Sequence, residues 1–131
     1  NPHSAGRLVE AIKGLLPNRH IILILGIQDN KDLKGLVEEL SNIEPAIVLA
    51  TRSRHPKATA SERIAQMFAP YVSEVYSTES VITALDMARN LAAKGDLILA
   101  TGSLFVAAEV RGLVKCIPAE TYPVFDDRSI P

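Results

Sequence analysis

Three short runs of uninterrupted aliphatic residues limit the folds open to this chain more than any other feature. They are "IILIL" at 21–25, "AIVLA" at 46–50 and "LILA" at 97–100. A strand with one wet face alternates apolar and polar residues. A strand covered on both faces does not. Runs this short and this apolar therefore predict buried strands of a parallel sheet, and the segments between them must supply the cover.

Those segments have helical spacing. Residues 5–16 place Leu8, Ile12 and Leu15 on one face, with Ser4 as the expected cap and Pro17 as the stop. "DNKDLKGLVEELSN" aligns Leu33, Leu36, Val37 and Leu40. "TASERIAQMF" has Thr59 and Glu62 at capping-box spacing. "TESVITALDMARNLAAKG" lines up Val81, Leu85, Ala88 and Leu91, with Gly95 suited to a left-handed C-terminal position. "SLFVAAEVRGLV" is a last helix capped by Ser103. "VSEVYS" reads as a further short strand. The expectation is an α/β, Rossmann-like three-layer sandwich: a mostly parallel sheet with helices on both faces. Residues 1–131 read as a single domain, with an extended tail over 115–131 containing Pro118, Pro123 and Pro131.

Composition removes several functions. The chain has 131 residues, of which 47% are hydrophobic, and it has no Trp, so its core must be aliphatic. A net charge of −1 offers no field for nucleic acid or an anionic membrane. The opening has no secretory signal pattern, and five apolar residues in a row fall far short of the roughly 20 that span a bilayer. The one cysteine, Cys116, reads as a buried small hydrophobe. It cannot form an internal disulfide, in keeping with a cytoplasmic location.

In an open parallel sheet, ligands meet the loops beyond the carboxyl ends of the strands. "GIQDNKD" follows the first strand. Asp29 or Asn30 caps the next helix there while Lys31 stays solvated, or else Asp29, Lys31 and Asp32 meet a ligand. "TRSRHPK" gathers Arg52, Arg54, His55 and Lys57, either as a solvated loop or as contacts for a phosphate or carboxylate. "TGS" sets Gly102 and Ser103 at a helix N-terminus, as a plain cap or as an anion site. No phosphate-binding P-loop, dinucleotide fingerprint, hydrolase elbow or metal-ligand spacing occurs. His20 reads as a packing residue and Asp86 as a solvent-facing charge. No catalytic residue and no metal site are expected within these residues.

Four stretches in order resemble one family. "NPHSAGRLVEAI", "GIQDNKDLKGLVEEL", "HPKATASERIA" and "DLILATGSLFVAAEVR" are similar to successive segments of the C-terminal domain of folylpolyglutamate synthase and dihydrofolate synthase, in the Mur ligase superfamily. In that family the first stretch follows an Asp-Gly-Ala-His. Asn30 stands here between Asp29 and Lys31, and Lys57 replaces an arginine. The resemblance implies the glutamate-ligase domain of a longer ATP-dependent enzyme, inactive alone. Its partners would be its own N-terminal ATPase domain, L-glutamate and a folate or dihydropteroate carboxylate. ATP and Mg²⁺ would be held mainly by that other domain. It further implies that Ser103 contacts the glutamate carboxylate, that Asp29, Lys31 and Asp32 line the same edge, and that Asn1 and His3 shape the turn there. Two rivals accompany this reading. One is a peptidoglycan Mur ligase C-terminal domain. The other is a stand-alone anion-binding or receiver-like module, which the strand ends at Gly26, Thr51 and Thr101 do not suit.

Overall fold

In the computed structural model, which describes residues 2–29 and 32–115, the aliphatic runs lie side by side. The order along the chain is α1 (Pro2–Leu15), β1 (Ile21–Leu25), α2 (Leu33–Ser41), β2 (Ile47–Ala50), α3 (Ser61–Phe68), β3 (Glu74–Ser77), α4 (Val81–Leu91), β4 (Leu97–Thr101) and α5 (Leu104–Val114). The four strands form one sheet in the order β3-β2-β1-β4, and every pair is parallel. The α/β class and the two-sided cover match expectation.

The sheet explains why the strands read as unbroken apolar runs. Ile21, Leu23 and Leu25 enter a cluster with Val9, Leu36, Leu40, Ile64 and Phe68, on the side of α1, α2 and α3. Ile22 and Ile24 enter a second cluster with Val81, Leu85, Ala88 and Val106, on the side of α4 and α5. Successive side chains point to opposite faces, and both faces are oil. β1 and β2 are buried throughout. β3 is mostly exposed at one edge, and β4, paired only to β1 among the described residues, is half-buried at the other.

Several local expectations need correction. α1 begins at Pro2, so Ser4 lies inside the helix and does not cap it. A proline suits a first helical turn because its fixed φ is already helical and its missing N–H has no partner to lose. The buried residues of α1 are Ala5 and Val9. Leu15 is 80% exposed, because the helix meets α2 and the sheet through its other residues. Likewise Leu91 is exposed at the end of α4. The capping box at Thr59 does not form: Ala60 precedes α3 and makes no side-chain cap. Thr59 is instead drawn to the loop after β1, where its N–H bonds the Ile27 carbonyl. His20 is exposed and does not pack. Its Nδ1 lies 3.1 Å from Asp96 Oδ2 on the edge opposite the strand carboxyl ends. Gly95 takes a left-handed φ of 90°, in the turn after α4. The expectations for Cys116 and the tail fall outside the described residues.

Candidate functional site

β1, β2 and β3 succeed one another across the sheet, and the chain then returns to lay β4 on the far side of β1. Connections leave β1 and β4 toward opposite faces, so a crevice opens between their carboxyl ends. Two glycines let its walls close. A Cβ at Gly102 would strike the Leu25 side chain and come within 2.6 Å of the Gly26 carbonyl oxygen, and its φ of 103° already disfavours a side chain. A Cβ at Gly26 would run into Val106 and approach the Thr51 carbonyl at 3.1 Å. The ends of β1, β2 and β4 and the first turn of α5 thus meet around Gly26.

The loops that follow these strands are bonded into one rim. After β1, the backbone pairs with the loop after β2 through an antiparallel bridge between Gln28 and Ala58. The Asp29 N–H donates to the Lys57 carbonyl at 2.8 Å, and Thr59 Oγ1 donates to Asp29 Oδ1 at 3.0 Å. The same loop reaches α5. The Arg54 N–H donates to Glu109 Oε2 at 2.9 Å, and Arg54 Nε lies 3.5 Å from Glu109 Oε1. The His55 ring packs on Phe105 with centroids 4.3 Å apart. Two buried polar atoms at this edge, Gln28 Oε1 and Thr51 Oγ1, have no hydrogen-bond partner among the described residues. Buried polar atoms are ordinarily paired, so an unpaired couple at a crevice suits a polar guest.

Each expected site residue now has a place, apart from Asn1, Asn30 and Lys31, which lie outside the described residues. Asp32 caps α2, its Oδ1 accepting the Gly35 N–H at 3.0 Å. The helix cap is therefore Asp32, not Asp29, because Asp29 is occupied by the loop after β2. Ser103 caps α5, its Oγ accepting from Phe105 and Val106 at 3.1 and 3.3 Å. With both lone pairs used, the Ser103 hydroxyl hydrogen is left to donate outward. Asp32 and Ser103 stand on the same edge but serve helices on opposite faces. Exposed His3 sits in the first turn of α1 beside that edge, because Pro2 abuts Gly35. Of the basic loop, Arg54 is engaged by Glu109, while Arg52 and Lys57 are exposed. Glu109 was not anticipated. Its one sequence signal was being the sole acid of a mostly apolar helix whose other charge is Arg111. Among the described residues no group of three His, Cys, Asp or Glu could hold a metal ion. No helix there is long and apolar enough to cross a membrane.

A parallel sheet with a switch-point crevice, rimmed by helix N-termini and both signs of charge, defines a Rossmann-like α/β domain. The family model "Mur ligase, glutamate ligase domain" matches residues 1–104, and this chain belongs to that family. Its fold is shared with solved folylpolyglutamate synthases. Escherichia coli FolC in complex with DHPP and ADP aligns at TM-score 0.79 and 24% identity over 88% of the chain. Mycobacterium tuberculosis folylpolyglutamate synthase, complexed with ADP and AMPPCP, aligns at 0.79 and 25% over 86%. The Thermotoga maritima enzyme aligns at 0.74 and 25% over 88%. The chain spans 27%, 27% and 26% of these proteins. No curated protein sequence matches it.

Proposed function

We propose that this chain is the C-terminal, glutamate-binding part of an ATP-dependent ligase that joins L-glutamate to a folate or dihydropteroate carboxylate. The observation that carries the reading is the family match over residues 1–104, which takes in all four strands and the loops that follow them, joined to folylpolyglutamate synthase structures that align over most of the chain. In this reading the parent enzyme transfers a phosphoryl group to the folate carboxylate. The glutamate nitrogen then attacks that carbonyl carbon. A C–N bond forms, the C–O bond to phosphate breaks, and the amine gives up a proton.

This chain's contribution is to hold the nucleophile. The glutamate carboxylate sits at the N-terminus of α5, where the Ser103 hydroxyl donates to it and the end of the helix dipole favours negative charge. Exposed Arg52 and Lys57 add positive charge along the rim, and Arg54 stays with Glu109. ATP and Mg²⁺ belong to the N-terminal ATPase domain, and closure of the two domains keeps water from the activated carboxyl. Location in the cytoplasm, where folates and ATP are used, belongs to the same reading.

The test is Ser103→Ala in the parent ligase. We expect KM for glutamate to rise by about tenfold, the cost of about one charge-assisted hydrogen bond, with KM for ATP within about twofold. Equal effects on both substrates would remove the proposed role of Ser103. A purified ligase that accepted amino acids of a peptidoglycan precursor and refused folates would overturn the substrate assignment.

A further inference from the structure

The loop after β2 is bonded to both walls of the crevice. On one side it holds the turn after β1, through the Asp29 N–H to the Lys57 carbonyl, the Thr59 N–H to the Ile27 carbonyl and the Thr59 hydroxyl to Asp29. On the other side it holds α5, through Glu109 and through the ring contact of His55 with Phe105. Glu109 lies nearly two turns into α5, too far along for its carboxylate to stand at the helix N-terminus. Its side chain is 8% exposed; its Oε2 takes the Arg54 N–H and its Oε1 faces the Arg54 guanidinium. A carboxylate removed this far from water is retained only where its partners are fixed. Only His55 and Pro56 separate Arg54 from Lys57, so a loop pinned at Arg54 is also pinned where it meets Asp29.

We propose that Glu109 is a positioning residue for the crevice: by clamping Arg54 it holds the 52–59 loop against α5 and so sets the distance between the Asp29 turn and the Ser103 turn. Its consequence for catalysis rests on the proposed function, in which Ser103 seats the acceptor amino acid. Arg54 is then a structural cation. A carboxylate site loosened by as little as an ångström loses much of its grip, so the effect falls on acceptor binding.

The mechanical part is tested on this chain by amide hydrogen exchange. Glu109→Ala is expected to speed exchange by about tenfold or more at Arg54, Asp29 and Thr59, and to leave Ala46 and Leu97, bonded at the opposite edge, unchanged. Glu109→Gln keeps an acceptor for the Arg54 N–H and should hold protection at Asp29 and Thr59. Asp96→Ala, which removes the acceptor of the Ala93 N–H at the opposite edge, is a control that loosens the chain away from the crevice. If Glu109→Ala does not fold, Glu109→Met, which fills the same volume without an acceptor for the Arg54 N–H, carries the same test. Undisturbed exchange at Asp29 and Thr59 in a folded clamp variant overturns the proposal.

The catalytic part is read in the parent ligase. Glu109→Ala should raise KM for the acceptor by about tenfold, with kcat and KM for ATP within about twofold, while Asp96→Ala moves neither KM. Equal changes in the two variants would reduce Glu109 to a general stabiliser and overturn the proposal. If exchange responds as expected but neither Glu109→Ala nor Ser103→Ala moves the acceptor KM, the clamp stands and the glutamate reading fails.

Discussion

Two residues at this site have a clear double character. Ser103 and Asp32 both cap helices, a task any Ser or Asp at that position performs, and both stand on the edge at the carboxyl ends of the strands. A cap contributes about 1 kcal/mol, so Asp32→Ala should lower stability by about that much in urea denaturation. Gly102 is under a harder constraint. Its left-handed φ and the approach of the Gly26 carbonyl and Leu25 leave no room for a methyl group. Gly102→Ala is therefore expected to cost about 3 kcal/mol or more, measured by the same denaturation, against about 1–3 kcal/mol for backbone strain alone. The cap on α5 was legible in the sequence, because a Ser followed by apolar spacing is a local signal. The cap on α2 was misplaced and the one on α3 did not exist. In both cases a residue about 30 positions away, Asp29 to Thr59, had claimed the side chain.

The strands differ in what they are asked to do, although three of them are alike in composition. β1 and β2 are central and wholly buried, whereas β4 ends the sheet among the described residues, with every residue half-buried. Leu→Ala at a fully buried site costs about 2–5 kcal/mol, through lost transfer energy and the cavity left behind. Leu49→Ala in β2 should fall in the upper part of that range, and Leu99→Ala in β4 should cost less than half as much by the same measurement. Nothing in "AIVLA" or "LILA" separates the two, because position within a sheet is set by neighbours and not by local propensity. The helices were easier to read. α2 buries Leu33, Leu36, Val37 and Leu40, the four residues whose spacing marked its inner face. α1 was harder. With Leu15 left in water, its inner face is narrower and turned from the one its leucines marked.

For the whole molecule, the return of the chain to place β4 beside β1 matters most, since it alone makes the crevice. That arrangement gathers Asp29, Asp32, Arg52, Lys57 and Ser103 on one rim, without a metal-binding cluster among the described residues. With the ATPase domain placed elsewhere by the proposed function, the 131-residue chain by itself is expected to hydrolyse no ATP and to form no folate adduct, as followed by phosphate release and by mass of the product. Turnover by the isolated chain would show that catalytic groups lie within it.

Sequence alone determined the class of fold, the alternation of helix and strand, and the three polar loops that follow β1, β2 and β4. These depend on local spacing and on the apolar content that two-sided burial demands. Only the tertiary structure decided the order of the strands, which helix covers which face, and the partners of Asp29, Thr59, Arg54 and Glu109. Those depend on contacts between residues dozens of positions apart. The hydrogen bonds that make them are specified by where the backbone returns, and a linear pattern holds no record of that return.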